Sequence, residues 1–349
     1  MVYQASEEQR LDFLNDYHEL QKELDLGSEL LWLTREECVT AGPNIDETLK
    51  LTRQALVAHG RGDYEMPAKI GVHPWPDVFF HAMPAYVPGN RACGIKWIEC
   101  FPRNPEHFGL PQTTGLLVLN DITTGVPYAV MDSSWLTAMR TPAVTALAAA
   151  ALHGDAESFG MFGCGVQGRE HVRYICRTLP KLKKIYVYDV REETADQLIR
   201  DIQPEIAPRL IKADPKTIAA NCEVMASATI ILLEPQSVVK REWVSKGQTI
   251  LPCDLNTFWQ PSIQLEADKY VVDSVSEHEL FAGMGYFPDG LPKIACQTGE
   301  ILAGLKPGRT SRDELIVCSN IGISVCDVVM GRAIFDKARK LGLGRKLPL

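Results

Sequence analysis

Residues 158–170 read SFGMFGCGVQGRE: an apolar run, then Gly163-Cys164-Gly165-Val166-Gln167-Gly168, then the start of a charged, helix-like pattern. This strand–GxGxxG–helix order is a dinucleotide-binding fingerprint. Gly163 permits the tight turn, Gly165 lets backbone approach a pyrophosphate, and Gly168 lets the helix pack close to the strand. Val166 and Gln167 open the helix, whose N–H groups and positive dipole end face the phosphates. Three glycines can also do no more than turn a chain, so the flanking sequence decides. The next strand-like run, KKIYVYDV, brings Asp189 to a point 21 residues beyond Gly168. There a carboxylate accepts the hydroxyls of an adenosine ribose and repels a 2′-phosphate, which favours NAD over NADP. Arg191, two residues on, is the opposing signal, since an arginine there suits the 2′-phosphate. Ser227, Thr229 and Asn320 are the remaining members of the expected cofactor-binding set.

Downstream of the fingerprint, strand-like and helix-like runs alternate through REHVRYICRTL, KIYVYDV, REETADQLIRDI, EVMASATI, QTILPCD and YVVDSV. That alternation predicts βαβ units and a doubly wound parallel sheet. Upstream, the run SSWLTAMRTPAVTALAAAALH predicts a long helix over 133–153, with Gly154 as its stop. Before that, VFFHAMPAYV, CGIKWIECF and TGLLVLNDITTGVPYAVM read as strands, with residues 120–125 as a hairpin connection. Residues 6–26 predict an amphipathic helix, with Ser6 and Gln9 at capping-box spacing and an apolar stripe of Leu11, Leu14, Tyr17, Leu20 and Leu24. The chain has 349 residues, enough for about two domains of roughly 150 each. Because the fingerprint begins so late, the residues before it must carry the substrate side.

Composition narrows the function classes. The net charge of −8, with 23% charged and 46% hydrophobic residues, is that of a globular enzyme and gives no basic face for nucleic acid. The longest apolar run, 143–152, is too short for a bilayer span. No secretory or transit signal is readable at the N-terminus, and ten scattered cysteines without a CxxC pair predict reduced thiols, a cytoplasmic protein and no metal site.

The run from Met131-Asp132 through Leu136-Thr137-Ala138-Met139-Arg140-Thr141-Pro142-Ala143, followed by the Ala-rich helix and GCGVQG, resembles the ornithine cyclodeaminase and mu-crystallin family. MPAK (66–69), HAMPAY (81–86), GIKWIECFPRNP (94–105), GEILAGLKPGR (299–309) and the NIG at Asn320 follow in the family's order. The resemblance implies a Rossmann domain (141–317) inserted in an α+β substrate-binding and dimerisation domain (30–140 and 318–349), after an N-terminal helical extension (1–29). It also implies a homodimer and a small-molecule partner: an amino acid, an imine or a 2-oxo acid. Carried over by motif, Lys69 and Arg140 hold the substrate carboxylate, Met83 lies with them, and Lys96 stands beside the reacting carbon. Lys69 replaces a more usual arginine, keeping the charge but losing the bidentate fork. Asp254 is the candidate proton-transfer acid, with Asn256 as the alternative occupant, because LPCDLN lacks the glycine-rich segment of ornithine-cyclising members. His81, Trp75, Trp97, Phe101 and Trp259 are aromatic candidates for the substrate pocket, with core packing as the competing role.

Three functions follow from the resemblance. The first is an NAD(P)-dependent oxidoreductase interconverting an amino acid and its imine or 2-oxo acid. The second is an ornithine or lysine cyclodeaminase using bound NAD, which needs an acid for the distal amine. The third is a non-catalytic small-molecule-binding protein of mu-crystallin type.

Overall fold

The computed structural model describes residues 3–75 and 77–349. They form two compact units, one containing the described residues up to Arg140 together with Ile323–Leu349, the other Thr141–Gly322. The division falls within the helix Ser134–His153, which ends before Gly154 as expected and continues through Pro142.

The second unit is built on eight strands among the described residues, all parallel to their neighbours. From one edge they run Arg209–Lys212, Lys184–Tyr188, Ser158–Phe162, Val224–Ser227, Thr249–Pro252, Ile316–Ser319, Lys269–Val272 and Ile294–Gln297. The first three strands in sequence run outward, and the fourth returns to the other side of Ser158–Phe162. This is the Rossmann strand order, and it opens a ligand crevice at the carboxyl ends of Ser158–Phe162 and Val224–Ser227. Phe162, Met225, Ile250, Trp259, Val272 and Val317 pack one core cluster. Because Ile316–Ser319 pairs inside this sheet, the unit reaches Gly322 rather than ending at 317.

The first unit holds a seven-stranded mixed sheet among its described residues, in the order Arg345–Pro348, Glu29–Leu33, Pro127–Asp132, Thr113–Asn120, Ala92–Cys100, Phe79–Val87 and Ile70–Val72. The hairpin at 120–125 is present, with Gly125 at φ 79° and Thr124 N–H donating to Asp121 Oδ2 at 2.7 Å. In Ala92–Cys100 burial alternates, so Gly94, Lys96 and Ile98 face inward and Trp97 outward. The helix Ser324–Lys340 covers the inward face, and Gly331 sets its depth: a Cβ there would stand 2.0 Å from Leu117 Cδ2.

The first helix spans Glu7–Gln21, capped by Ser6 and Gln9, and stops short of residue 26 where the chain turns at Gly27 with φ 96°. Its buried face is Phe13 and Leu20, while Leu11 and Leu14 of the expected stripe are exposed. This helix is tied to the terminal one by a bidentate pair, Arg332 Nη1 and Nη2 to Asp16 Oδ2 and Oδ1 at 2.6 Å each. The segment expected as a separate extension over 1–29 therefore belongs to the first unit; its Met1 and Val2 lie outside the described residues.

Candidate active site

Strand alternation puts His81, Met83 and Lys96 on one buried face of the first unit's sheet. Met83 lies directly opposite Lys96 in the antiparallel register, and Lys96 opposite Leu117. Lys96 is 0% exposed, so its ammonium needs a partner within the protein. Asp327, at the start of the terminal helix, supplies it: Oδ2 lies 2.8 Å from Lys96 Nζ, and Oδ1 accepts from Arg140 Nε at 2.9 Å. Lys96 also donates to Thr137 Oγ1 at 3.5 Å. Burial and the neighbouring Arg140 charge push the Lys96 ammonium down to about 7, against the opposing pull of Asp327. Burial resists ionisation of Asp327, but the Arg140 and Lys96 charges outweigh it and hold the carboxyl below its ordinary range.

Lys69 is buried as well. Its charge adds to burial in pushing His81 down to about 3, so the imidazole is neutral at physiological pH. His81 stacks on Phe79 with ring centroids 4.0 Å apart. Of the aromatic candidates, His81 shares the Lys96 face. Trp97 does not, because the residue after an inward lysine on a strand points outward. Trp75 is exposed, and Trp259 is a core residue of the second unit whose Nε1 donates to Ser227 Oγ at 2.7 Å.

In the second unit the three glycines meet three different constraints. Gly163 has φ 92°, and a Cβ there would lie 2.6 Å from Ala228 O. At Gly168 a Cβ would come within 1.9 Å of Gly163 O, so helix and strand can approach this closely only around glycine. At Gly165 a Cβ would meet nothing within 4 Å. That open space, beside a helix whose N-cap makes no side-chain hydrogen bond, fits a pyrophosphate. Asp189 braces the loop: Oδ2 accepts from Cys164 N at 2.8 Å and Oδ1 from Arg191 N at 3.0 Å. Arg191 is exposed at the start of the next helix.

Asp254 is fully buried. Oδ1 accepts from Ser227 Oγ at 2.6 Å, and Oδ2 accepts from both the N–H and the hydroxyl of Thr229, at 3.2 Å for the N–H. Burial pushes its carboxyl up, and these donors counter that. The bonds join Asp254 to the residues just past Val224–Ser227, so Ser227 and Thr229 are committed to Asp254. Asn320 is similarly engaged, its N–H donating to Pro252 O at 2.9 Å and its Nδ2 to Cys318 O at 3.3 Å. Asn256 differs, since both its side-chain amide atoms are buried without a hydrogen-bond partner.

Sequence reasoning missed Asp327. The available signal was a single acid inside the apolar stretch SVCDVVM, on a helix face where the residues on either side are buried. An acid in such a place requires a buried cation.

A Rossmann sheet whose loop packs tightly around Gly163 and Gly168 and stays open at Gly165 defines a dinucleotide-binding α/β protein. The chain belongs to the ornithine cyclodeaminase/mu-crystallin family, whose model matches residues 32–342. It is 31% identical over 316 residues to the nodulation efficiency protein NfeD of Rhizobium meliloti, covering 90% of this chain and 97% of that one. It is 29% identical over 327 residues to the alanine dehydrogenase of Archaeoglobus fulgidus, covering 91% and 98%. A solved archaeal alanine dehydrogenase dimer with bound NAD superposes with a TM-score of 0.80 at 28% identity, covering 91% of this chain and 99% of that one.

Proposed function

We propose that this protein is an NAD-dependent oxidoreductase that interconverts an α-amino acid and its imine or 2-oxo acid. The observation that carries this reading is Lys96, wholly buried, paired with Asp327 and brought to about 7. An amine–imine interconversion needs a group that takes and returns a proton near neutral pH. The relatives named alanine dehydrogenase, one of them solved with NAD, support the substrate class and the cofactor.

NAD, when bound, supplies or accepts the hydride. The open loop at Gly165, shaped by Gly163 and Gly168, would hold its pyrophosphate with the amides of Val166 and Gln167, and Asp189 would meet the adenosine ribose. Arg140 takes the substrate carboxylate through its terminal nitrogens, because Nε is bonded to Asp327. Lys69 adds a second positive charge, and Met83 provides apolar wall beside Lys96. Lys96 Nζ moves the proton at the substrate nitrogen. Asp254 acts as an anchor for Ser227 and Thr229 rather than as a proton carrier, since its carboxylate is buried and engaged by both. Cyclodeamination needs an acid open to a distal amine, so this arrangement favours the net redox reading.

The outward face of the first unit's sheet supports a homodimer. Ile70, Ala82, Trp97 and Leu116 align across four strands, with Ile70 72%, Trp97 42% and Leu116 40% exposed. A row of exposed apolar side chains of this kind suits a second copy of the chain.

The test is a panel of 2-oxo acids with ammonia or methylamine, cyclic imines and basic amino acids, each with NADH and NADPH or their oxidised forms. Net change in NADH absorbance dependent on one of these substrates is expected. Ammonia release from ornithine without net change in NADH would overturn the redox reading.

A further inference from the structure

Asn256 sits in the turn that follows the strand Thr249–Pro252, at the sheet's carboxyl edge, where Rossmann ligands bind. The turn is closed by Thr257 N–H to Asp254 O at 3.1 Å. Its second residue, Leu255, has φ 59°, a left-handed conformation that a leucine adopts only under constraint. Of the described non-glycine residues with positive φ, Leu255 alone is wholly inaccessible. The constraint is visible on both sides. Asp254 is locked by Ser227 and Thr229, and Leu255 O accepts from Gln264 Nε2 at 2.9 Å. All this fixes the position of Asn256, whose Oδ1 and Nδ2 are buried and have no partner. A strained backbone that holds an unsatisfied buried amide is unfavourable in the free protein, and a ligand that completes the amide removes the penalty.

The missing partner must accept from Nδ2 and donate to Oδ1 together. A carboxylate only accepts and an ammonium only donates, so each leaves one atom of Asn256 unsatisfied. A primary carboxamide does both, in a cyclic amide–amide pair; the adenine edge does so too, but Asp189 ends Lys184–Tyr188 on one side of the glycine loop's strand, and Asn256 follows Thr249–Pro252 on the other. The geometry points to Asn256 as the positioning residue for the nicotinamide carboxamide, with Asp254 as the anchor that holds it in place. This inference rests on the reading of the second unit as an NAD site. It also means that the residue at this turn orients the ring and carries no proton.

The experiment compares binding of three ligands, followed by fluorescence and calorimetry rather than by turnover: NADH, its acetylpyridine analogue, which lacks the amide N–H₂, and ADP-ribose, which lacks the ring. The proteins are the wild type, Asn256→Leu and Asn256→Ala. In the wild type NADH should bind more tightly than the analogue, and both substitutions should shrink that ratio by about three- to tenfold, the worth of the one neutral hydrogen bond the analogue cannot make. ADP-ribose affinity should not change. The ligand-free Asn256→Leu protein should melt at or above the wild-type temperature, because the substitution removes an unsatisfied amide.

An unchanged NADH-to-analogue ratio would overturn the carboxamide assignment while leaving the NAD site in place. A parallel loss of ADP-ribose binding, or a clearly lower melting temperature of both ligand-free variants, would show Asn256 to be structural and overturn it equally. Failure of the wild type to bind NADH or ADP-ribose would overturn the NAD reading itself, and this inference with it.

Discussion

Replacing Asp327 by asparagine removes the carboxylate that bridges Lys96 and Arg140 but keeps the side chain's shape. At an effective dielectric of about 20, a unit charge pair at the 2.8 Å Lys96–Asp327 separation is worth about 6 kcal/mol before desolvation. The Arg140–Asp327 pair at 2.9 Å is of similar size. Much of this is offset by the cost of burying three ions. What remains is the penalty of leaving cations in a dry site without their counter-charge, about 3–5 kcal/mol for loss of one buried partner. Asp327→Asn should therefore lose about that much stability in urea unfolding followed by circular dichroism. Lys96→Met, which keeps the Arg140–Asp327 pair, should lose less. The double variant should recover part of the Asp327→Asn loss, because one of the two stranded cations is gone. The same change acts on chemistry. Asp327 raises the Lys96 ammonium toward its ordinary value, so without it the group titrates lower still. The acid limb of the pH–rate profile for amino-acid oxidation, and the alkaline limb for imine reduction, should both move to lower pH. A loss within about 1 kcal/mol, the range of a solvated surface pair, together with an unmoved profile, would refute the reasoning.

Further outcomes follow from the same geometry. With Lys96 at about 7, imine reduction uses its protonated form and should fall as pH rises through that value, while amino-acid oxidation uses the neutral form and should rise; initial rates in both directions, with Lys96→Met as the control lacking the inflection, check this. Gly168→Ala forces a Cβ to within 1.9 Å of the Gly163 carbonyl and should cost about 1–3 kcal/mol on thermal unfolding. Gly165→Ala meets nothing in the protein, so its melting temperature should match the wild type while NADH affinity falls about tenfold or more; equal behaviour of the two variants would remove the argument for a pyrophosphate at Gly165. Asp189→Asn keeps one acceptor for the Cys164 N–H but drops the charge, and should shift the NADPH-to-NADH ratio of kcat/KM upward by about tenfold.

What could be read from sequence was what is local. The glycine loop was legible because each glycine answers to neighbours within a few residues or on the adjoining strand, and the strand–turn–helix context is contiguous. Lys96 and Arg140 were legible as candidates through short family motifs. Asp327 was not, because its partner Arg140 is 187 positions away and only the folded sheet and helix bring them together. The engagement of Asp254 was not legible for a related reason. A carboxylate at a strand's end faces the ligand crevice by rule, but Ser227 and Thr229, a strand earlier, had already engaged it. The neighbouring Asn256 gave no compositional signal, and its importance rests on what it lacks in the folded chain. The limits of the first helix were also missed, since the apolar spacing of Leu11 and Leu14 continued a pattern that packing did not use.

The terminal helix has a consequence for the order in which the protein is made. The first unit needs residues from both ends of the chain, while the second is one uninterrupted segment, Thr141–Gly322. A ribosome finishing residue 140 must add the whole nucleotide-binding segment before Asp327 emerges, about 10–40 s at typical synthesis rates. During that interval Lys96 and Arg140 have no Asp327 to neutralise them, and the sheet face that Ser324–Lys340 will cover remains bare. The nascent first unit thus carries an uncovered apolar face through this interval, and the nucleotide-binding segment is free to fold first. Premature termination after the second unit would release a chain whose dinucleotide-binding half is complete and whose substrate half lacks its central counter-charge.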